Sequence, residues 1–556
     1  MTDGELQERA RRAGLSVNWT DAHGQHRSVS PDTLRAVLEV LGDQEAAPDG
    51  PATMERCYTI ADAAPGRKLS AVAVQLYSLR GNGAFGDMRA LNDFVRSAAR
   101  TGVDAVAVSP IHAPFLAAYD ASPYAPSSRL FLNPLFAEAG CQPEDRADGL
   151  IDWQHAVTAK LAGLRAAFDL AGRPHNEADK RLRDHARFEA LDAHFRAQGH
   201  SSFRDWPLPY RDPRHPLVDD FAHQHREDIA FHIFLQRLAE QSLVAAQTAA
   251  REAGMAIGLI ADLAVGTSPT GSHAWSAPDE VLTGLTIGAP PDVFQPDGQN
   301  WGITALSAVK GRATFAETLH RTMQHVGGVR IDHAMGLQRL WVIPEGAKPE
   351  EGVYLRYPMH EMLGVLAQQS RTHRAIVIGE DLGTVDPDFR AAMRACGMLG
   401  MEVLWFQREG GRFIEPERWS PHSAALTTTH DLPSVAGWWR GRDIHWLERL
   451  GRRAEHGDIA AERRARDEDR AHLWSAIGDG PLPAPDDTAP VVDAAIAFVC
   501  RTPCPLAIVP AEDILGLIEQ PNIPGTINEH PNWRRRLPSP DVFSQNERRI
   551  WALRRS

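Results

Sequence analysis

Cysteine is scarce in this 556-residue sequence: Cys57, Cys141, Cys396, Cys500 and Cys504 are the only five. An odd number, thinly spread, excludes a disulfide framework and reads as reduced thiols. Cys500 and Cys504 lack the second ligand pair that a structural zinc site needs. Long apolar runs are absent too, none approaching the roughly 20 residues that span a bilayer. The opening Met-Thr-Asp-Gly-Glu carries no basic-then-apolar signal, so a soluble, cytoplasmic protein with no membrane partner is expected. Positive charge is in deficit, 59 basic against 72 acidic side chains for a net −13, which argues against nucleic acid or anionic membrane as a partner. The chain also lacks a Gly-x-Ser-x-Gly nucleophile turn, a His-Glu-x-x-His metal motif and any internal repeat.

Core-forming residues are plentiful, at 43% hydrophobic. The length exceeds one ordinary core of about 100–200 residues, which calls for several domains or a large barrel with insertions. Residues 1–65 read as a small helical N-terminal module, with helical patterns around Glu5–Ala13 and Thr33–Leu41, the second preceded by Ser30-Pro31-Asp32 as cap and first turn. After a polar linker at Asp62–Lys68 come eight short apolar or β-branched runs: Ala71–Leu76, Asp104–Ser109, Ala256–Asp262, Gly328–Asp332, Ala375–Gly379, Met401–Phe406, Ala424–Thr429 and Leu506–Pro510. Helix-period segments such as Met88–Ala99, Phe231–Ala253, Thr314–His325 and Tyr357–Ser370 lie between them. This alternation predicts an α/β fold, a (β/α)₈ TIM barrel over 66–556. The uneven spacing predicts inserted subdomains at about 113–230, 263–312 and 440–495.

In such a barrel the chemistry sits where the strands end. The third run ends at Asp262, the fourth at Asp332, the fifth is followed by Glu380-Asp381, and the seventh by His430-Asp431. Arg330 and Asp332 share one strand face, so the guanidinium keeps the carboxylate ionised. Taken alone, that pair reads equally as a structural salt bridge. Converging Asp332, Glu380 and Asp431 suit cleavage of a glycosidic bond, where one carboxyl gives a proton and another attacks or stabilises the anomeric carbon. A metal site is the rival reading, opposed by the cation of Arg330. Asp381 points away and is expected to be structural.

Aromatic faces in loops suit sugar rings. Tyr124 in Ser122-Pro123-Tyr124 is one candidate, as are Trp275, Phe294 and Trp301; any single one is more often packing, and Gln299 and Asn300 beside Trp301 favour the sugar-facing reading there. Gly81-Asn82-Gly83-Ala84-Phe85-Gly86 matches a dinucleotide-binding Gly-x-Gly-x-x-Gly, but the next strand lacks the terminal acid that motif requires. A flexible loop at the barrel mouth is expected there instead. His223, His225 and His232 read as solvated surface, and Arg534-Arg535-Arg536 as salt-bridged surface or packing.

Several stretches together carry a resemblance: Gln75-Leu76-Tyr77-Ser78-Leu79-Arg80, Ser122-Pro123-Tyr124 with Asn133-Pro134-Leu135, Pro290-Pro291-Asp292 through Gln299-Asn300-Trp301-Gly302, Arg330-Ile331-Asp332-His333, Gly379-Glu380-Asp381-Leu382-Gly383, Thr429-His430-Asp431-Leu432-Pro433, and Pro524-Gly525-Thr526 with Glu529-His530-Pro531-Asn532-Trp533. Their order and content resemble the 4-α-glucanotransferases called amylomaltases or disproportionating enzymes, glycoside hydrolase family 77. The resemblance implies Asp332 as nucleophile, Glu380 as general acid/base and Asp431 as the carboxylate favouring the distorted, oxocarbenium-like ring. It implies that Arg330 and His430 orient the nucleophile and hold hydroxyls, that Tyr124 stacks on the ring at the cleavage site, and that Asp292 to Trp301, with Gln299, form a mobile loop over the acceptor side. Asp262 joins the substrate-binding candidates. No cofactor or metal is implied. The implied substrates are malto-oligosaccharides and starch or glycogen fragments, with glucose as an acceptor. An α-1,4-glucan hydrolase and a non-catalytic glycan-binding protein are the rivals. Two departures stand out: Ala334-Met335-Gly336 where many members have Phe-Arg-Gly, and Val293 where many have tyrosine.

Overall fold

Eight parallel strands frame the computed structural model, which describes residues 2–21, 24–50, 55–138, 149–291, 297–544 and 546–554. They are β1 (Leu69–Val74), β2 (Ala105–Val108), β3 (Gly258–Leu263), β4 (Gly328–Ile331), β5 (Ile376–Gly379), β6 (Gly400–Val403), β7 (Ser423–Leu426) and β8 (Leu506–Pro510). Each pairs with its sequence neighbours, and β8 pairs back onto β1. The ring closes between β5 and β6, where Leu399 N–H donates to Val377 O (3.0 Å) and Gly379 N–H to Leu399 O (2.8 Å). This is the predicted TIM barrel. Its strands are short apolar runs because helices cover the outside and side chains fill the inside. Val72, Ala105, Val106, Leu259 and Val329 are fully buried. Several strands end two or three residues earlier than their apolar runs: Leu404–Phe406 turns as a 3₁₀ segment instead of extending β6.

The outer helices follow local rules. Asp87 caps Met88–Arg100 by accepting from the Arg89 and Ala90 N–H groups, and Leu91, Phe94, Val95 and Ala98 form its buried stripe. Between β2 and β3 lie helices Trp153–Leu170, Lys180–Arg196 and Pro216–Gln224 before the long Arg226–Glu252. There Phe188, Phe195, Trp206 and Phe221 build a separate apolar cluster that includes Trp275. Trp275 is 1% exposed and donates Nε1–H to Tyr210 O (2.8 Å), so of its two readings packing holds: its indole is core and does not face a sugar. Helices Arg442–Arg449 and Ile459–Ile477 occupy the stretch between β7 and the helix Ala489–Arg501 that precedes β8.

A second sheet rises beside the barrel. Strands Leu285–Ala289 and Gln299–Ile303 join Arg339–Pro344 and Val353–Arg356 in an antiparallel sheet of four. The latter hairpin grows from the loop after β4, where sequence reading named no insertion. The N-terminal segment packs on this sheet rather than standing apart. Leu6, Val37 and Leu38 meet Leu340, Val342 and Leu355, and Leu15 bridges Leu355. It is not wholly helical, since Asn18–Thr20 and His26–Ser28 pair as a ribbon between helices Asp3–Arg12 and Pro31–Leu41.

The glycine-rich loop after β1 leaves Gly81 and Asn82 exposed but packs Gly83 to Gly86 against the body of the protein. Phe85 is buried, and Arg536 donates to Gly83 O (2.6 Å) and Leu79 O (2.8 Å), which also identifies the end of the arginine run as packing. A Cβ on Gly86 would collide with the Leu76 carbonyl oxygen. Gly86→Ala should therefore lower stability by about 1–3 kcal/mol through overpacking. An unchanged urea midpoint would refute this.

Among the described cysteines all are free thiols, Cys57 and Cys396 lying with sulfurs 3.6 Å apart; Cys141 lies outside the described residues. His223 is exposed as expected, whereas His225 stacks on Phe221 with centroids 4.0 Å apart and His232 is half-buried, so these two pack against the insertion. Among the described residues no helix is long and apolar enough to cross a membrane.

Candidate active site

Parallel register brings the first pair together. Arg330 of β4 lies level with Asp262 of β3, so both side chains leave the same face at the barrel's C-terminal rim. Arg330 Nη1 reaches Asp262 Oδ1 and Oδ2 at 2.7 and 2.9 Å, and its Nη2 reaches Asp332 Oδ1 at 3.0 Å. One guanidinium thus ties the ends of two strands. Burial opposes its charge, but the carboxylates of Asp262 and Asp332 outweigh burial and raise the Arg330 pKa well above its ordinary value. The pair is a salt bridge that also fixes Asp332.

Glu380 follows β5 and is clamped by main chain. The His333 N–H donates to Oε2 (3.0 Å) and the Leu382 N–H to Oε1 (2.8 Å). The peptide links run both ways, Ala334 N–H to Glu380 O (2.9 Å) and Glu380 N–H to Ile331 O (3.0 Å). Burial raises the Glu380 pKa to about 7; Asp332 pushes the same way, while Arg330 and the two N–H donors oppose. Its neighbour Asp381 turns aside to Arg390 Nε (3.1 Å) and the Met401 N–H (2.8 Å), a structural role as expected.

Asp431 follows β7 on the same rim. Its Oδ2 sits 3.3 Å from His430 Nε2, and its Oδ1 accepts from Asn522 Nδ2 at 2.6 Å. Burial works against the Asp431 charge, but His430 and Asn522 outweigh it and lower the pKa. His430 shifts reciprocally upward: burial opposes its charge and Asp431 more than compensates. The Asp431 side chain is still 43% exposed, open to a ligand. Tyr124 closes the ring of contacts, with Oη donating to Asp262 Oδ2 (2.7 Å), lying 3.3 Å from His430 Nδ1 and stacking on the imidazole (4.8 Å, 22°). Trp533 flanks both rings at 5.7 and 5.5 Å.

Asp332, Glu380, Asp431, Arg330, His430, Tyr124 and Asp262 therefore converge. Asp262 is only 7% exposed, and its oxygens are taken by Arg330 and Tyr124, which makes it an anchor for them. Trp301 meets the site through His333 (5.1 Å, edge-on), and its Nε1–H donates to Gln299 Oε1 (3.2 Å). Asp292, Val293 and Phe294 lie outside the described residues.

Two features escaped sequence reasoning. His333 adopts left-handed backbone (φ 46°), a strained conformation for a non-glycine residue that aims its N–H at Glu380. Asn522 lies just before the Pro524-Gly525-Thr526 motif, and only that proximity signals it. Gln520 supports it, donating to Asp431 O (3.1 Å) and Asn522 O (2.7 Å). Asn522→Ala should cost about 10-fold in kcat/KM, the scale of one charge-assisted hydrogen bond. Steady-state kinetics matching the parent would remove Asn522 from the site. Among the described residues no group of three or more His, Cys, Asp or Glu side chains is placed to hold a metal ion.

Comparison with known proteins agrees in sequence and in shape. The family profile described as 4-alpha-glucanotransferase, glycoside hydrolase family 77, matches residues 74–541. The 4-alpha-glucanotransferase of Mycobacterium tuberculosis is 35% identical over 535 residues, covering 86% of this chain and 72% of that protein. The Haemophilus influenzae 4-alpha-glucanotransferase is 31% identical over 542 residues, covering 86% and 76%. The crystal structure of amylomaltase from Corynebacterium glutamicum superposes with a TM-score of 0.82 at 24% identity, covering 100% of both chains. Amylomaltase from Streptococcus agalactiae in complex with acarbose superposes at 0.69 with 18% identity, covering 88% of this chain and 98% of that one, so the fold is shared. With its motifs spread along a match of this extent and its carboxylates gathered on one barrel rim, the chain belongs to glycoside hydrolase family 77, the 4-alpha-glucanotransferases.

Proposed function

We propose that Asp332, Glu380 and Asp431 carry a retaining transfer of α-1,4-glucan segments between malto-oligosaccharides or starch- and glycogen-type glucans. The observation that supports it most is the pairing of a carboxylate fixed by Arg330 with a buried carboxyl whose pKa is raised to about 7. A carboxyl that burial holds in its acid form, beside a carboxylate held by a guanidinium, separates proton donor from nucleophile. Asp332 attacks the anomeric carbon as Glu380 protonates the departing O4, leaving a glycosyl ester on Asp332. The 4-hydroxyl of a second glucan, or of glucose, then gives its proton to Glu380 and takes the segment, freeing Asp332. Asp431 holds hydroxyls of the cleaved ring, Tyr124 and His430 supply its flat neighbour, and Trp301 with Gln299 lines the acceptor side. The reduced thiols suit a cytoplasmic setting.

Incubation with maltotriose separates transfer from hydrolysis. Transfer yields glucose together with maltopentaose and longer chains, whereas hydrolysis yields glucose and maltose without elongation. A product profile with no chain longer than the substrate would sink the transferase reading, and absence of turnover would favour a glycan-binding protein.

A further inference from the structure

The hairpin after the nucleophile carries a cation that no carboxylate among the described residues pairs with. Arg339 opens strand Arg339–Pro344, and its guanidinium lies over the Tyr354 ring at 4.4 Å, with Trp341 packed edge-on behind that ring at 4.9 Å. Stacking fixes the plane of a guanidinium but leaves its N–H edge free to donate. Among the described residues no carboxylate or carbonyl takes that edge: its one polar neighbour is the Met335 thioether, 4.0 Å from Nη2, and Nε is buried with no partner. Next to it, Gln338 gives Nε2–H to Asp386 (3.3 Å) while its Oε1 is likewise buried and unpartnered. Two consecutive side chains leaving buried donors and acceptors unmet is costly unless a ligand meets them.

Their position says which ligand. Met335 and Gln338 belong to the turn that begins at His333, beside Asp332; burial disfavours protonation of His333, and Arg339 is close enough to push the same way while Asp332 opposes. His333 in turn carries the edge of Trp301, from the strand next to Leu285–Ala289 in the sheet that also contains Arg339. This is the acceptor side in the reading above, on which the inference rests. A neutral, hydroxyl-rich molecule offers a guanidinium fork paired oxygens without demanding a counter-charge. We infer that Arg339, seconded by Gln338, binds hydroxyls of the acceptor sugar and sets the preference for a glucan acceptor over water.

The test uses the full chain with maltotriose as donor and labelled glucose as acceptor. Arg339→Met should raise the KM for glucose by about 10- to 100-fold, the worth of one or two charged hydrogen bonds, while water-driven release of maltose from the donor stays within about twofold. Arg339→Lys should recover part of the loss. Because Met335 touches the guanidinium, the double variant Met335→Arg/Arg339→Met should return a fork to the same place and lower the glucose KM again. An unchanged glucose KM in Arg339→Met, or equal losses in transfer and hydrolysis across all three variants, would overturn the inference while leaving the transferase reading intact. A parent enzyme that elongates nothing would overturn both.

Discussion

Asp332→Asn is expected to abolish transfer, with kcat falling on the order of 10⁶-fold, the scale of removing a nucleophile that works as a unit with its partners. The amide keeps the shape of the side chain but cannot form the glycosyl ester, and it gives Arg330 a neutral acceptor in place of a charge. The fold should survive, because Arg330 keeps its bidentate hold on Asp262 and Asp332 N–H still donates to Leu263 O (3.0 Å). Two measurements check this together: maltotriose turnover, and mass spectrometry of enzyme quenched after mixing with an α-maltosyl fluoride. The parent should gain whole hexose increments and the variant none. Retention of even one per cent of parental turnover with an unaltered thermal midpoint would move the nucleophile elsewhere.

Glu380→Gln should cost about 10²–10⁴-fold, the usual contribution of a positioned acid/base. The loss should depend on the leaving group. A fluoride departs without a proton, so glycosylation by maltosyl fluoride should recover, whereas transfer to a sugar hydroxyl, which needs the base, should stay slow. The pH profile supplies the second arm. Burial raises the Glu380 pKa from 4.5 to about 7, so the acid form needed for glycosylation is held below that pH and lost above it. For the parent, kcat/KM should be level up to about pH 7 and then fall about tenfold per unit. With the fluoride donor, the glutamine variant should lose that alkaline limb. A parent profile flat to pH 9 would show that Glu380 is not the titrating acid.

Much of this architecture was legible before any coordinates. The strands could be found because each is a short apolar run between Gly, Pro and polar punctuation, and both faces of a barrel strand are buried. Asp332, Glu380 and Asp431 could be singled out because barrel chemistry gathers at strand ends, although Asp262 and Asp381, which sit there too, serve as anchors. What escaped depends on contacts across long separations. The Arg339–Pro344 hairpin reads as one more apolar run, and only its pairing with Leu285–Ala289 shows that it belongs to a second sheet. Trp275 reads as a loop residue in sequence but lies in the short helix Ser272–Ser276, and only the cluster around Phe188 and Trp206 reveals it as core. The Gly81–Gly86 loop looked mobile by composition, yet Arg536 arrives from 453 residues away to fasten it. Asn522 has no pattern of its own; its meaning is its 2.6 Å contact with Asp431.

The peptide links between the loops after β4 and β5 have an evolutionary corollary. The separation of the two catalytic carboxyls decides whether a glycosidase retains or inverts configuration. In the mechanism proposed above, the separation of Asp332 and Glu380 is held by Glu380 N–H to Ile331 O, Ala334 N–H to Glu380 O and His333 N–H to the Glu380 carboxylate. Every donor is a backbone N–H, of Glu380, Ala334 or His333, present with any side chain but proline's. Residues around the cleft are thus free to drift toward new chain lengths and acceptors, while stereochemistry is inherited with the backbone. An insertion or deletion in either loop, rather than a point substitution, is the kind of change that would alter it.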